Sequence, residues 1–139
     1  MTFLFFLLLV KHFVCDFGLQ GRFIGRYPPG SKRYLFSPAL LLHAFDHAIG
    51  NAFVFAIVCS MIHMVSPQEY TGFFWIAPLL LGLLDFVLHI FIDWRKNIIV
   101  YNLNIKQSDR MFWKITTVDQ ILHVTCYWLY VWLFDKFFF

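Results

Sequence analysis

Hydrophobic residues form four long blocks along this 139-residue chain, and most of the basic residues lie between them. The blocks cover residues 2–19, 38–65, 72–93 and 111–138. Each approaches or exceeds the roughly 20 residues that a helix needs to cross a bilayer. The pattern predicts a single all-α domain, residues 1–139, in which four transmembrane helices form an up-down-up-down bundle.

Composition favours a membrane bundle over a soluble one. Hydrophobic residues make up 60% of the chain and charged residues only 14%. A soluble bundle needs a polar outer face on each helix, and residues 79–84 and 124–134 offer almost none. The first block contains Lys11, His12 and Asp16 and no basic residue precedes it, which argues against a cleavable signal peptide. We therefore expect the lipid bilayer to surround the protein.

Local signals predict where the helices begin and end. The Pro28-Pro29-Gly30 run predicts an irregular loop after the first helix. Ser37-Pro38 is a typical helix N-terminus, and Pro78 predicts a kink near the start of the third helix. The polar stretch 97–107 predicts a connection between the last two helices. Ser108 or Asp109 is then expected to cap the fourth helix.

Basic residues are distributed unevenly among the connections, which predicts an orientation. The second loop, 66–71, has none, whereas the first loop and the third connection contain most of them: Arg22, Arg26, Lys32 and Arg33, and then Arg95, Lys96, Lys106, Arg110 and Lys114. By the positive-inside rule, both termini lie outside and these connections lie in the cytoplasm of a bacterial cell. Because topology accounts for the basic residues, no nucleic-acid partner is predicted.

The three cysteines, Cys15, Cys59 and Cys126, all lie within apolar blocks, so no disulfide framework is predicted. Cys126 follows His123 by three residues and can share its helix face. We interpret it as a small buried hydrophobe rather than a metal ligand.

Pairs of His and Asp at a spacing of four are the strongest chemical pattern in the chain. They are His12/Asp16, His43/His47, Asp85/His89, His89/Asp93 and Asp119/His123. About one such pair is expected by chance, and this spacing puts both side chains on one helix face. Such groups are costly inside a membrane unless they pair with one another or bind a metal.

The predicted topology brings these pairs to one level of the bundle. The end of helix 1, the start of helix 2, the end of helix 3 and the start of helix 4 share one side. Imidazole and carboxylate groups bind Zn, or alternatively Mn or Fe. We expect one or two divalent ions there, because the predicted ligands outnumber the four that a single Zn takes: His12, Asp16, His43, His47, His89, Asp93 and His123.

Further residues near the pairs suggest supporting roles. Asp119 or Asp46 is expected to move a proton, and Asp85 to orient His89. Arg95 and Lys96, at the mouth of the site, are expected to hold an anionic group such as a phosphate. His63 lies about 24 Å along its helix from His47 and is expected at the membrane interface instead.

The string from His12 to Gln20, HFVCDFGLQ, resembles the signature HxxxDFxLQ of a small, uncharacterised membrane-protein family of bacteria and tailed phages. Later motifs agree in order: HxxxH from His43, HxxxDxxK from His89 and DQxxH from Asp119. The resemblance covers nearly the whole chain. It departs at residues 21–33, which are rich in Pro and Gly where family members continue with a short polar helix.

This resemblance adds two expectations. Gln120, in the DQxxH motif, is expected to hold a neighbouring ligand in place. The family is also distantly similar to inner-membrane proteins regarded as metal-dependent hydrolases, which implies a membrane-embedded hydrolase in the bacterial inner membrane, or in that of the host for a phage protein. With the site just below the headgroups, the expected substrate is amphipathic, such as a phospholipid or a prenyl phosphate.

Three other functions are compatible with the pattern. The polar pairs can act as interhelical glue without binding a metal. They can also form a proton or metal conduit, although the opposite membrane half offers only His63, Thr125 and Asp135 to continue it. Finally, the chain can be a non-enzymatic phage or bacterial accessory protein whose polar cluster is structural.

Overall fold

The structure is a computed structural model that describes residues 1–19, 38–66, 72 and 74–137. The described residues form four long helices and contain no strand, which confirms the all-α prediction. Helix α1 is Thr2–Phe13, which continues as a π-helix over Val14–Leu19; α2 is Pro38–Val65; a 3₁₀ turn at Phe74–Ile76 leads into α3, Ala77–Asn102; and α4 is Arg110–Phe137. The predicted loop at Pro28–Gly30 and the cap at Ser37 lie outside the described residues.

Successive helices run antiparallel, so the up-down-up-down order is confirmed. Two contacts at different heights fix each direction. They are Lys11 with His47 and Asp16 with His43 for the first helical segment and α2, Cys59 with Phe74 and His43 with Asp93 for α2 and α3, and Phe74 with Phe134 and Lys96 with Asp119 for α3 and α4. The fourth helix closes the bundle against the first, where the Phe5 and Trp128 rings lie 4.5 Å apart.

Helix α3 differs from its predicted bounds at both ends. It begins at Ala77, so Pro78 lies in the first turn, where its missing N–H leaves no hydrogen bond unmade. Pro78 therefore starts the helix rather than kinking it. At the other end the helix continues to Asn102, through half of the stretch predicted to be a connection. The chain leaves the helical conformation at Asn104, two residues after the end of α3, where a φ of 49° places the backbone in the left-handed region.

Backbone hydrogen bonds around Asn104 explain this stop. The N–H of Ile105 donates to the Val100 carbonyl (3.0 Å) and that of Asn104 to the Tyr101 carbonyl (3.0 Å), which is the Schellman arrangement. Asp109 directly precedes α4, but its carboxylate accepts from the Lys106 N–H (2.8 Å) and so closes the connecting turn.

Small residues let α2 and α3 approach closely. A Cβ added at Gly82 would lie only 3.0 Å from both the Ala48 carbonyl oxygen and the Ala52 Cβ. Close contact of this kind is the usual way in which membrane helices gain packing energy, since lipid offers no hydrophobic driving force between them.

Apolar side chains fill one half of the bundle, at the N-terminal end of α1 and the C-terminal end of α2. We call this set the apolar core; its buried members are Leu4, Leu8, Val54, Phe55, Cys59, Phe74, Ala77, Leu81, Tyr127, Tyr130, Val131 and Phe134. All three cysteines are free, as predicted. Cys126 packs at the edge of this core.

Much of the described outer surface is apolar. Large hydrophobic side chains from all four helices are exposed, among them Phe6, Phe53, Leu83 and Trp132. Within the part of the chain that the structure describes, three helical segments are long and apolar enough to cross a membrane: Thr2–Leu19, Pro38–Val65 and Phe74–Asn102. Helix α4 is as long as α2 but richer in polar, Tyr and Trp residues, and its crossing of the membrane stays a prediction.

Candidate metal centre

Polar side chains from all four helices meet in the half of the bundle opposite the apolar core. We call them the polar cluster: His12 and Asp16 from the first helical segment, His43 and His47 from α2, His89 and Asp93 from α3, and Asp119, Gln120 and His123 from α4. The five histidines are at most 7% exposed. The four pairs at a spacing of four thus come together, as the predicted topology requires.

Asp16 lies at the α1–α2 side of this cluster, on the π-helix that follows α1. Its Oδ1 accepts a hydrogen bond from His47 Nε2 (2.9 Å) and lies 3.5 Å from His43 Nε2. Its Oδ2 lies 3.3 Å from His12 Nε2. A π-helical turn is uncommon and often marks a functional site, and here it carries the carboxylate that contacts three imidazoles.

Asp93 holds the corresponding position on the α3–α4 side. Its Oδ1 lies 3.4 Å from His123 Nε2, and its Oδ2 lies 3.6 Å from His89 Nε2 and 3.9 Å from His43 Nε2. His43 therefore lies between the two carboxylates. The arrangement places two anionic groups around a central set of imidazoles, and such a set of groups could hold a divalent cation.

Three overlapping groups within the cluster have metal-binding geometry. In each, one ligand atom per residue lies within 4.8 Å of the others, and the groups are His43, His47 and His89; His12, Asp16 and His47; and His89, Asp93 and His123. This spread fits donors around a common ion, and nitrogen with carboxylate oxygen is the donor set of Zn, Mn and Fe sites.

His89 belongs to two of these groups, as does His47. It is 1% exposed, and its ring lies 3.9 Å from that of His47 and 4.2 Å from that of His123, centroid to centroid. Neither of its ring nitrogens has a hydrogen-bond partner among the described residues. A buried imidazole without a partner is costly, and a metal ion between His89 and its neighbours would remove this cost.

His12, in contrast, has both ring nitrogens engaged. A carboxylate only accepts hydrogen bonds, so Gln120 directs its amide nitrogen to Asp16 (3.3 Å) and its oxygen to His12 Nε2 (2.9 Å). His12 Nε2 then carries the proton, and Nδ1 accepts from the Tyr127 hydroxyl (2.8 Å). His12 thus links Tyr127 to Gln120 and, through Gln120, fixes the position of Asp16.

A second set of polar residues lies between the cluster and the apolar core; we call Lys11, Asp85 and Tyr127 the basal layer. Lys11 Nζ donates to Asp85 Oδ2 (3.0 Å), to the Tyr127 hydroxyl (3.3 Å) and to the His47 carbonyl (3.2 Å). Asp85 therefore pairs with the Lys11 ammonium on α1, and its role in orienting His89 stays a prediction. Sequence reasoning assigned no role in the site to Lys11.

The two basic residues predicted at the mouth lie in different surroundings. Lys96 Nζ donates to Asp119 Oδ2 (2.9 Å) and to Asp93 Oδ1 (3.3 Å), so its charge is used within the cluster rather than held free for an anion. Arg95 is exposed beside it. The other oxygen of Asp119, Oδ1, is buried without a hydrogen-bond partner among the described residues.

Several predicted residues lie elsewhere. Asp46 is half-buried on α2, and among the described contacts its carboxylate does not join the cluster. His63 packs edge-on against Trp75 (5.2 Å between centroids) at the opposite end of α2. The basic residues of the first loop, Arg22, Arg26, Lys32 and Arg33, lie outside the described residues.

The model of one protein family matches residues 4–136, a range that includes the polar cluster and the basal layer. Its description is "Protein of unknown function (DUF3307)". The chain belongs to the DUF3307 family. Membership of an uncharacterised family agrees with the resemblance in the sequence, whereas the likeness to hydrolases stays a prediction. No curated protein and no solved structure matches the chain.

Three of the buried polar residues that sequence reasoning missed in this DUF3307 protein follow a simple rule. Asn51, Asn97 and Tyr127 each come four residues after a member of a predicted pair, and each is buried. Extending the spacing of four by one more step would have identified all three. No such signal marks Lys11, whose partner Asp85 is 74 positions away.

Proposed function

We propose that this protein is a membrane-embedded, metal-dependent hydrolase that cleaves a phosphoester or similar bond of an amphipathic substrate. The observation that carries the proposal is the buried His89 imidazole, which lacks a hydrogen-bond partner among the described residues while its nearest neighbours are other metal-ligating groups. Polar clusters that serve only to hold helices together have their hydrogen bonds made within the protein.

The donor set supports one or two divalent ions, with Zn first and Mn or Fe as alternatives. His43, His89, Asp93 and His123 would hold the ion. When bound, a divalent metal lowers the pKa of a coordinated water and polarises the scissile bond. His12 and His47 each have both ring nitrogens engaged in hydrogen bonds, and they would instead position Asp16 at the edge of the centre.

Asp119 is the best placed group to accept a proton. Its Oδ2 is held by Lys96, and its buried Oδ1 lies 3.8 Å from His123 Nε2 with no hydrogen bond among the described residues. One oxygen is thereby fixed while the other is left to bond with a reacting water. We assign this role to Asp119 rather than to Asp46, which lies away from the cluster.

The proposed site faces the cytoplasm, since the basic residues of the connection between α3 and α4 border it. A transmembrane conduit is less well supported than a hydrolase. Below the basal layer the described interior is the apolar core, in which Leu8, Phe55 and Phe134 are fully buried. Protons or ions would have no continuous polar path through it.

Elemental analysis of the purified full-length protein tests the metal site. After incubation with Zn²⁺, Mn²⁺ or Fe²⁺ and removal of free ions, we expect about one or two ions per wild-type chain. His89→Ala, His43→Ala and Asp93→Ala should each lose most of the bound metal. His63→Ala, which removes an imidazole outside the cluster, should bind like the wild type. Metal contents near zero in every protein would reject the site.

Phosphate release from phosphatidic acid or a prenyl phosphate tests the chemistry. We expect metal-dependent turnover that Asp119→Asn lowers by about 100-fold or more, because general-base groups typically contribute that much. This variant should keep most of its bound metal, which separates loss of proton transfer from loss of the ion. Bound metal with ion flux in proteoliposomes and no turnover would favour a transporter instead.

A further inference from the structure

The surface between α3 and α4 contains a groove of about 270 Å³ that borders the polar cluster. Its walls are apolar and include Phe91, Val118 and Leu122, each of them exposed on the outside of the bundle. At one side it is lined by Arg95, Lys96 and Asp119. The groove therefore joins a lipid-facing apolar surface to charged groups of the candidate site.

Two other grooves of the bundle lack this combination. The α2–α3 groove is lined only by apolar residues, such as Phe45, Ala52 and Leu83. The α1–α4 groove reaches His12 and Gln120, but its lining includes no lysine or arginine. Of the three, the α3–α4 groove alone offers both a cationic edge and apolar walls.

Among the described residues, the charges in this groove leave one cation without an ion-pair partner. Lys96 is shared between Asp93 and Asp119. Arg95 is exposed, and its guanidinium forms no ion pair with any of the described residues. An unpaired guanidinium at the edge of an apolar surface is stabilised by a phosphate group, which it binds through two parallel hydrogen bonds. At this position in a membrane protein, the nearby phosphates belong to lipids.

We infer that the α3–α4 groove binds an anionic phospholipid, with the phosphate on Arg95 and an acyl chain along Phe91, Val118 and Leu122. Lys96 lines the groove and also contacts Asp93, the proposed metal ligand. The further idea that substrate reaches the metal through this groove rests on the proposed function. A lipid phosphate bound at Arg95 lies beside Lys96, which contacts both Asp119 and Asp93. The substrate then enters sideways from the bilayer, without crossing the apolar core.

Photolabelling of the full-length protein in phosphatidylcholine nanodiscs tests this groove. The probe is phosphatidic acid with a diazirine in one acyl chain, and the comparison is diacylglycerol with the same diazirine chain. A chelator removes any metal, so that labelling reports lipid binding in the absence of a bound ion. We expect phosphatidic acid to label α3 and α4 peptides that line the groove, and diacylglycerol to label the bundle evenly.

Arg95→Gln should lower groove labelling by phosphatidic acid about tenfold, the effect of losing a charge-assisted contact. Arg110→Gln removes the same charge from the start of α4, outside the groove, and should label like the wild type. Equal labelling of both variants, or even labelling by both lipids, would overturn the inference. So would complete protection by inorganic phosphate, which would identify free phosphate as the ligand.

The outcome is separable from that of the proposed function. Groove labelling that depends on Arg95, in a protein that hydrolyses no lipid phosphate when loaded with metal, would support the groove and reject the hydrolase. Hydrolysis of phosphatidic acid that Arg95→Gln leaves unchanged, with no groove labelling, would reject the groove alone.

Discussion

The two halves of this bundle bury their side chains by opposite means. In the apolar core, Phe134 packs against Phe55 (5.2 Å between ring centroids) and Phe74 (6.0 Å), so the shapes of the side chains determine their positions. In the polar cluster the same four helices bury imidazoles and carboxylates, whose positions depend on charge and hydrogen bonding. The core specifies how the helices pack, whereas the cluster reduces stability unless its groups find partners.

The basal layer between the two halves shows what complete pairing looks like. The Lys11 ammonium reaches a carboxylate, a hydroxyl and a backbone carbonyl, and Tyr127 in turn bonds to His12. On the far side of this layer, His89 and Asp119 retain buried polar atoms without hydrogen bonds among the described residues, as single atoms of Asn51, His63, Asn97 and Tyr130 also do. Of the described residues, His89 alone has two such atoms, and both lie in the proposed metal site. Each prediction below tests one side of this contrast.

The largest effect on stability is expected in the basal layer. Asp85→Ala should lower the free energy of unfolding in detergent by about 4 kcal/mol, because it leaves the Lys11 charge buried without its carboxylate. The double variant Lys11→Met with Asp85→Ala should recover most of this loss, since it removes both charges. Denaturant-induced unfolding measures both values.

A suitable control for Asp85→Ala is Asp135→Ala, which removes an exposed carboxylate near the end of α4 and should change stability by less than about 0.5 kcal/mol. If the single and double variants in the basal layer were equally unstable, the ion pair would not explain the loss.

A substitution in the apolar core should change the free energy of unfolding but not the metal content. Phe134→Ala removes a fully buried ring and should cost about 3 kcal/mol of unfolding free energy, with metal binding unchanged.

His89→Leu should behave in the opposite way. It should abolish metal binding and change the metal-free stability by less than about 1 kcal/mol, because His89 forms no hydrogen bond with any described residue that would be lost. A large loss of metal-free stability in His89→Leu would show that the imidazole has a structural role.

The sequence was sufficient to predict the helices and the convergence of the pairs, for a physical reason. A spacing of four fixes two side chains on one helix face, and an alternating topology fixes which helix ends meet. The end of α3 was misjudged because polar composition suggested a connection. Asn97 is polar, yet it continues the buried stripe of Asp85, His89 and Asp93, and this stripe keeps the chain helical.

The pairing inside the site was beyond sequence reasoning. Lys11 is adjacent to His12, and only the rotation of α1 relative to α3 decides which of them meets Asp85. Likewise, the engagement of both His12 nitrogens depends on the Tyr127 and Gln120 side chains from α4. Contacts of this kind join residues more than 70 positions apart and leave no local pattern.

Gly50 offers a smaller test of how tightly Lys11 is held. A Cβ at this position would lie 2.8 Å from Lys11 Cγ and 3.0 Å from Cδ. Because hydrogen bonds fix the Lys11 ammonium, its chain has little freedom to move, and Gly50→Ala should cost about 2 kcal/mol of unfolding free energy. Gly18→Ala is the matched control. Its Cβ would lie 3.9 Å from the nearest side-chain atom, Val14 Cγ1, so this substitution should be neutral or slightly stabilising. Equal effects would mean that Lys11 is free to shift.

The smallest effect concerns a residue that positions a carboxylate without binding the ion itself. Gln120→Ala removes the amide that links His12 to Asp16, and should weaken metal binding about tenfold in chelator competition, with the stoichiometry unchanged. Thr125→Val alters the same groove between α1 and α4. Its hydroxyl bonds only to the Ile121 carbonyl of its own helix, so the affinity should not change. A stoichiometric loss of metal in Gln120→Ala would instead make Gln120 a ligand, and unchanged affinity would mean that Asp16 needs no support from α4.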